Sequence, residues 1–470
     1  MRLRRPVLTS LCLAMLSASA AHALDLSEAF AKAQQNDPDW RAARNTYLAD
    51  SREDAVGLGG LLPSVAANGS VSKTEFDPDS PTPTNPAYDA DTTQWAVKAT
   101  QPLFRADAWF DYQRARAVAS QAEASFRSQE QALALRVSQA YFSVLSAQET
   151  LAYAESEEAA FGRQLDQAQQ RFDVGLIAIT DVLEARASFD SSRANRIAAE
   201  AALQAAKENL AVIIGENPGK LAPLKPDTPM LKPTPADPEA WAKLAREQNP
   251  DLIAARRNQE TALAVSRQVK SGHLPTVDLF ASYSSMDRDA GSNIFGSAQN
   301  GTTTAVGLEA SWSIFAGGRT YNTSRQASYR AAAAQDIATG TEKQVVNSAR
   351  TAFNNVSADS YRVEARKQAV ASTEASLDAT QAGYEVGTRN IVDVLLAQRN
   401  SFAAKRDYAA ARYDYVINSL RLKAASGQLS EVDIKELNTW LDPNASVVSA
   451  PEKPAEPVEA PAALPRTKKR

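Results

Sequence analysis

The chain has 470 residues, long enough for two or three ordinary domains with a sizeable core. Lys and Arg number 51 against 55 Asp and Glu, a formal charge of −4 that gives no basic footprint for nucleic acid. With one cysteine (Cys12) and two histidines (His22, His273), disulfides, zinc sites and Cys/His catalysis are excluded, and a Ser-His-Asp triad would have to use His273.

Arg2, Arg4 and Arg5 precede a short apolar run, Val7 to Leu16, and then Ala21-His22-Ala23. That is the layout of a cleavable export signal over 1–23, so the mature protein is expected to begin near Leu24. Cys12 lies inside the apolar run and not at a lipobox position, so a lipidated N-terminus is not expected. Leu26 to Gly59 reads as helix, with Ser27 as its N-cap. From Asp107 to Phe172 only Gly162 interrupts a run of Ala, Gln, Arg, Glu and Leu. A continuous helix there would be on the order of 100 Å long, and the 89 alanines against 19 glycines suit such close-packed rods. A turn around Gly175 follows, then a helix capped by Asp181 and running to about Ile214. Residues 216–238 hold seven prolines and read as an extended linker. Residues 443–470 have the same chemistry and read as a disordered tail.

The chain is written twice. A shift of 212 residues lays Asp37-Pro38-Asp39 on Asn249-Pro250-Asp251, Leu62-Pro63 on Leu274-Pro275, and Asp181-Val182-Leu183 on Asp393-Val394-Leu395. A constant offset at such distant sites marks two structural repeats, 24–215 and 239–442. The second repeat carries its own long helix from Thr320 to Tyr384, and its turn at Gly387.

Each repeat also holds two alternating stretches. Val65-Ala67-Gly69-Val71, Trp95-Val97-Ala99, Val277-Leu279-Ala281-Tyr283 and Val306-Leu308-Ala310-Trp312-Ile314 are small or apolar at every second position, with polar residues mostly between. This period suits a barrel that is apolar outside and polar inside, and equally a half-buried soluble sheet. Past residue 24 no apolar run is long enough for a membrane helix, so a membrane reading requires strands. Four strands cannot close a barrel, and lipid does not tolerate open edges, so closure demands several chains. The competing classes are a soluble periplasmic coiled-coil scaffold, which leaves the alternating strands unexplained, and an exported enzyme, for which His273 has no evident partner.

Leu26-Ser27-Glu28-Ala29, Gln101-Pro102-Leu103-Phe104, Arg171-Phe172-Asp173-Val174-Gly175-Leu176, Trp312-Ser313-Ile314-Phe315 and Gly383-Tyr384-Glu385-Val386-Gly387-Thr388-Arg389 occur in this order. Together with the duplication they resemble the TolC family of outer-membrane efflux proteins, over residues 25 to about 440. The resemblance implies an α+β membrane protein: a homotrimer whose twelve-stranded β-barrel in outer-membrane lipid continues as a twelve-helix α-barrel across the periplasm. It implies export of drugs or of type I secreted proteins. The partners implied are a periplasmic adaptor protein and an inner-membrane ABC or resistance-nodulation-division transporter. It implies no enzyme activity and no cofactor.

The resemblance also assigns residues. Thr180, Asp181, Tyr384 and Arg389, with Gln164 more weakly, match positions that hold the periplasmic end closed; helix capping by Asp181 and Asp393 is the plain alternative. Asp393 matches an aspartate ring at the pore constriction. A second ring position is Leu396 here, and Gln381 replaces a glutamate. Val174-Gly175-Leu176 and Val386-Gly387-Thr388 match tips that dock the adaptor.

Overall fold

The computed structural model describes residues 23–82, 87–289 and 300–442. Residues 1–22 of the expected leader and the tail from 443 onward lie outside the described residues. Three helices open the chain: α1 (Leu26–Asn36), α2 (Pro38–Asp50) and α3 (Glu53–Gly59). The single helix expected here is broken at Asp37, whose backbone is extended (φ −64°, ψ 118°) because a following proline disfavours the helical conformation. The cap expected at Ser27 is also corrected. Asp25 caps α1, accepting from the Glu28 N–H at 2.7 Å, while Ser27 already lies within the first turn.

Strands β1 (Ser64–Phe76) and β2 (Tyr88–Phe104) lead into α4, which runs unbroken for 68 residues from Ala106 to Asp173, roughly 100 Å. Its neighbours approach closely. A Cβ on Gly57 of α3 would lie 2.6 Å from the Cβ of Ala115, so glycine there sets the helix separation. α5 (Ile179–Ile214) returns along α4. The second repeat follows the same plan: α6 (Pro238–Gln248), α7 (Pro250–Ser271), β3 (Thr276–Asp289), β4 (Gly301–Ser311), α8 (Arg319–Glu385) and α9 (Ile391–Ala425), closed by α10 (Glu431–Asn438). The offset survives in backbone detail, since Gly215, the C-cap of α5, and Gly427, just past the Ser426 cap of α9, have φ +81° and +77°.

The four strands form one antiparallel sheet in the order β1-β2-β3-β4. Register puts the four alternating patterns on one face. Val65 pairs with Ala99, Ala99 with Ala281, and Ala281 with Val306; in the next row Ala67, Val97, Tyr283 and Thr304 are aligned. The Trp95 and Tyr283 rings, 5.3 Å apart, lie on this face. The other face carries Asn68, Ala96, Ser284 and Thr303 in one row, and Ala66, Lys98, Ser282 and Ala305 in another. β4 ends at Ser311, so Trp312 and Ile314 fall outside the strand in which they were expected. Its last partner is Thr276, and Pro275 before it has no N–H with which to extend the ladder.

The largest core lies midway along the rods, where Leu26, Phe142, Leu145, Leu210, Ile214 and Leu420 are buried together. The expected linker is fastened into it. Leu221, Ala222 and Leu224 are buried, Leu221 bridges Leu24, and Leu224 bridges Leu441. The buried Tyr141 hydroxyl lies 2.9 Å from the carbonyl oxygens of both Leu24 and Ala222, joining the start of the fold to the segment between repeats. Tyr141→Phe deletes this donor without a cavity. It is expected to cost roughly 0.5–1.5 kcal/mol, read as faster thermal loss of the folded form, with far-ultraviolet circular dichroism unchanged at low temperature.

Candidate functional site

The α4–α5 and α8–α9 hairpins end together. Phe161, Ala168, Val182, Ala185, Ile391 and Leu395 form a separate small core there, with Phe172 and Tyr384 packed against it. The Arg171 guanidinium lies 5.0 Å from the centre of the Tyr384 ring, a cation–π contact between the two hairpins. Each tip is a short turn on a glycine of positive φ, Gly175 at +75° and Gly387 at +80°. Beside them Val174, Leu176 and Val386 stand exposed, while the Thr388 hydroxyl donates to the Gly383 carbonyl at 3.0 Å.

The expected helix caps are corrected. α5 begins after Ala178 with no side-chain cap, and Asp181 sits in its first turn, where its charge favours the helix N-terminus. In α9 the cap is Asn390, which accepts from the Asp393 N–H at 2.8 Å. Within one chain, no hydrogen bond or ion pair joins Thr180 or Asp181 to Tyr384 or Arg389 among the described residues. Arg389 instead lies 3.8 Å from Asp393, one helical turn on. Leu396 is half exposed on the same helix, and Gln381 is exposed near the end of α8. Gln164 lies on α4 roughly 14 Å before its end at Asp173, between Phe161 and Ala168 of the small core.

Two contributors depend on contacts that no local signal carries. Arg171 belongs to the first hairpin, and its contact with Tyr384 needs the hairpins brought side by side. Gly383 is the other. A Cβ there would lie 2.8 Å from Cγ of Arg389 and 3.2 Å from the Thr388 hydroxyl, so glycine is what allows Arg389 to fold back over the end of α8.

At the opposite end of the rods, Arg105 joins the sheet to the helices. It grips Asp278 of β3 with two hydrogen bonds, 2.9 and 2.7 Å, the bidentate geometry of the stronger charge-assisted pairs. Lys98 and Glu309 make a second pair at 3.6 Å on the same polar face. Around this neck Leu103, Phe104, Trp109, Trp312, Ile314 and Phe315 are exposed, as an interfacial aromatic girdle would be. No described helix is long and apolar enough to cross a membrane.

The outer membrane efflux protein family model matches residues 29–216 and 241–428, two segments offset by the same 212 residues. The chain belongs to this family, and it is an outer-membrane channel-tunnel. It is 34% identical to the outer membrane protein TolC of Vibrio cholerae over 440 residues, 93% of this chain and 98% of that one. It is 35% identical to TolC of Escherichia coli over 93% of this chain and 88% of that protein. The alkaline protease secretion protein AprF of Pseudomonas aeruginosa is 28% identical over 88% of this chain and 87% of its own. Among solved structures, the outer-membrane channel OprN superposes with a TM-score of 0.74 at 19% identity, covering 86% of this chain and 90% of that one. The family is a transport channel in the outer membrane, so the soluble scaffold falls away.

Gly383→Ala is expected to displace Arg389 and raise ion leakage at the tip, measured as single-channel conductance in planar bilayers. Yield and thermal stability should change little, because the substitution lies outside both cores.

Proposed function

We propose that three copies close a twelve-stranded barrel over a twelve-helix tunnel, and that this conduit exports small toxic molecules or type I secreted proteins. The observation that carries the reading is the sheet. One of its faces gathers the small and apolar positions of all four strands, its edge strands β1 and β4 each have one neighbour, and it leads into helices of 68 and 67 residues. A single such sheet would leave backbone donors and acceptors open to lipid, which closure by several copies removes. Energy and cargo selection come from an inner-membrane ABC or resistance-nodulation-division transporter, joined through a periplasmic adaptor that meets the exposed tips Val174-Gly175-Leu176 and Val386-Gly387-Thr388.

The tip acts as the gate. Among the described residues Asp181 and Thr180 carry no side-chain hydrogen bond or ion pair within one chain, so they are available to Tyr384 and Arg389 across the junction between hairpins. A carboxylate can accept from a phenol and a guanidinium together, and each such bond is worth roughly 1.5–3 kcal/mol. Gln164, on α4 between Phe161 and Ala168 of the tip core, is a weaker constraint on the same gate. Purified wild type is expected to run as a heat-resistant trimer and to insert into planar bilayers with small, mostly closed conductance. A monodisperse monomer that is soluble without detergent would overturn the reading. Tyr384→Phe combined with Arg389→Ser should raise conductance and antibiotic entry; equal conductance would remove these residues from the gate.

Asp393 supplies one ring of three carboxylates around the axis, a focused negative field favouring cations. Its charge is tempered by Arg389 at 3.8 Å, and Leu396 adds no second ring. Trivalent hexa-ammine cations should therefore block weakly, with Leu396→Asp strengthening the block and Asp393→Ala abolishing it. A titration of blocker against conductance for the three proteins decides the point; block of wild type as tight as that of Leu396→Asp would show that other acids line the entrance.

A further inference from the structure

A large aromatic side chain stands out of place on the polar face of the sheet. Phe280 shares its row with Ser64, Thr100 and Gly307, which are small and neutral. The bare backbone of Gly307 explains how the ring is seated. A Cβ there would lie 3.2 Å from Cε1 and Cζ of Phe280, so glycine lets the ring rest against β4. Even so the residue is no more than half-buried. The Lys98 ammonium sits over the ring, 5.2 Å from its centre.

Glu309 completes the group. It lies 3.6 Å from the same ammonium, too long for a good charge-assisted hydrogen bond, and its side chain is 61% exposed. Exposed pairs of this kind contribute little stability, so a second cation can compete for the carboxylate. The neighbouring acid cannot serve, because Asp278, opposite Glu309 in the ladder, is gripped by Arg105. Lys98 of β2 thus occupies a place built by β3 and β4, an aromatic ring beside a carboxylate. That pair of groups is the chemistry that recognises organic cations.

We infer that Phe280 and Glu309 form a binding site for aromatic organic cations, and that Lys98 is a tethered cation that keeps its affinity low. The site lies within one chain; that its face lines the lumen rests on the barrel proposed above. A conduit needs low affinity, because cargo must be able to leave the wall it touches. Lys98 provides this by competing for the ring and by repelling like charge.

Ethidium, a planar aromatic cation, serves as the probe, titrated by fluorescence anisotropy into the detergent-purified full chain. Lys98→Met frees the ring and the carboxylate, and should tighten binding roughly two- to fivefold, the effect of one exposed cation–π contact. In that background Phe280→Leu should return the affinity to the wild-type level or below, while Phe280→Tyr should keep it. Glu309→Gln in the same background should weaken binding and remove most of its dependence on salt.

A Lys98→Met protein that binds ethidium no more tightly than wild type would overturn the site and leave the barrel standing. So would binding that is indifferent to Phe280→Leu. A wild type that is a soluble monomer and still shows the expected pattern would overturn the barrel and keep the site.

Discussion

Every N–H and C=O of a strand in hydrocarbon must find a protein partner, because lipid offers none. The chain meets this demand only in part. Its four strands satisfy one another across three antiparallel ladders, while β1 and β4 each keep one unpaired side. An apolar face drives the sheet into lipid and the open edges forbid it to stay there alone. Closure by several copies removes that conflict. The helices inherit the arrangement, since β2 and β4 lead almost directly into α4 and α8.

The two repeats are alike in plan and different where the strands become helices. In the first, Arg105 grips Asp278 across the neck. In the second, the chain enters α8 through Gly317-Gly318, both at positive φ, with no such clamp. The first entry is thus held by a charge-assisted pair and the second by a neutral one, the Trp312 indole N–H donating to the His273 carbonyl at 3.1 Å. Midway down, the belt around Tyr141 and Tyr413 fastens the rods to one another. The buried Tyr413 hydroxyl donates to Glu149 at 2.6 Å, and burial with that neighbouring carboxylate holds its pKa well above the ordinary phenol value. Polar groups this deep are specific ties, since each is costly without its partner.

Much of the fold was legible in the residues. The 212-residue offset, the long proline-free stretches and the alternation of small or apolar with mostly polar residues are local or periodic signals, and each has a direct backbone consequence. Capping shows where local signals stop. Ser27 and Asp181 are residue types that suit capping, but capping is decided by which backbone unit is extended, and Asp25 and Ala178 are the residues at those turns. Trp312 and Ile314 continued an alternating pattern past the point where Pro275 ends the ladder. The linker was recognised by its prolines, while its burial depends on Tyr141, Leu24 and Leu441, which are far away in sequence.

The sequence by itself determined the repeat, the rods, the strand faces and the two glycine turns, because periodicity and backbone preference act over neighbouring residues. Tyr384, Arg389 and Asp393 were nominated by the resemblance to the TolC family. Only the tertiary structure decided which groups meet. The ring of Tyr384 faces Arg171, Arg389 folds back past Gly383 toward Asp393, and Asp278 is claimed by Arg105. These contacts depend on the separation and rotation of packed helices and on strand register, quantities set by the whole core and written in no single stretch of the chain.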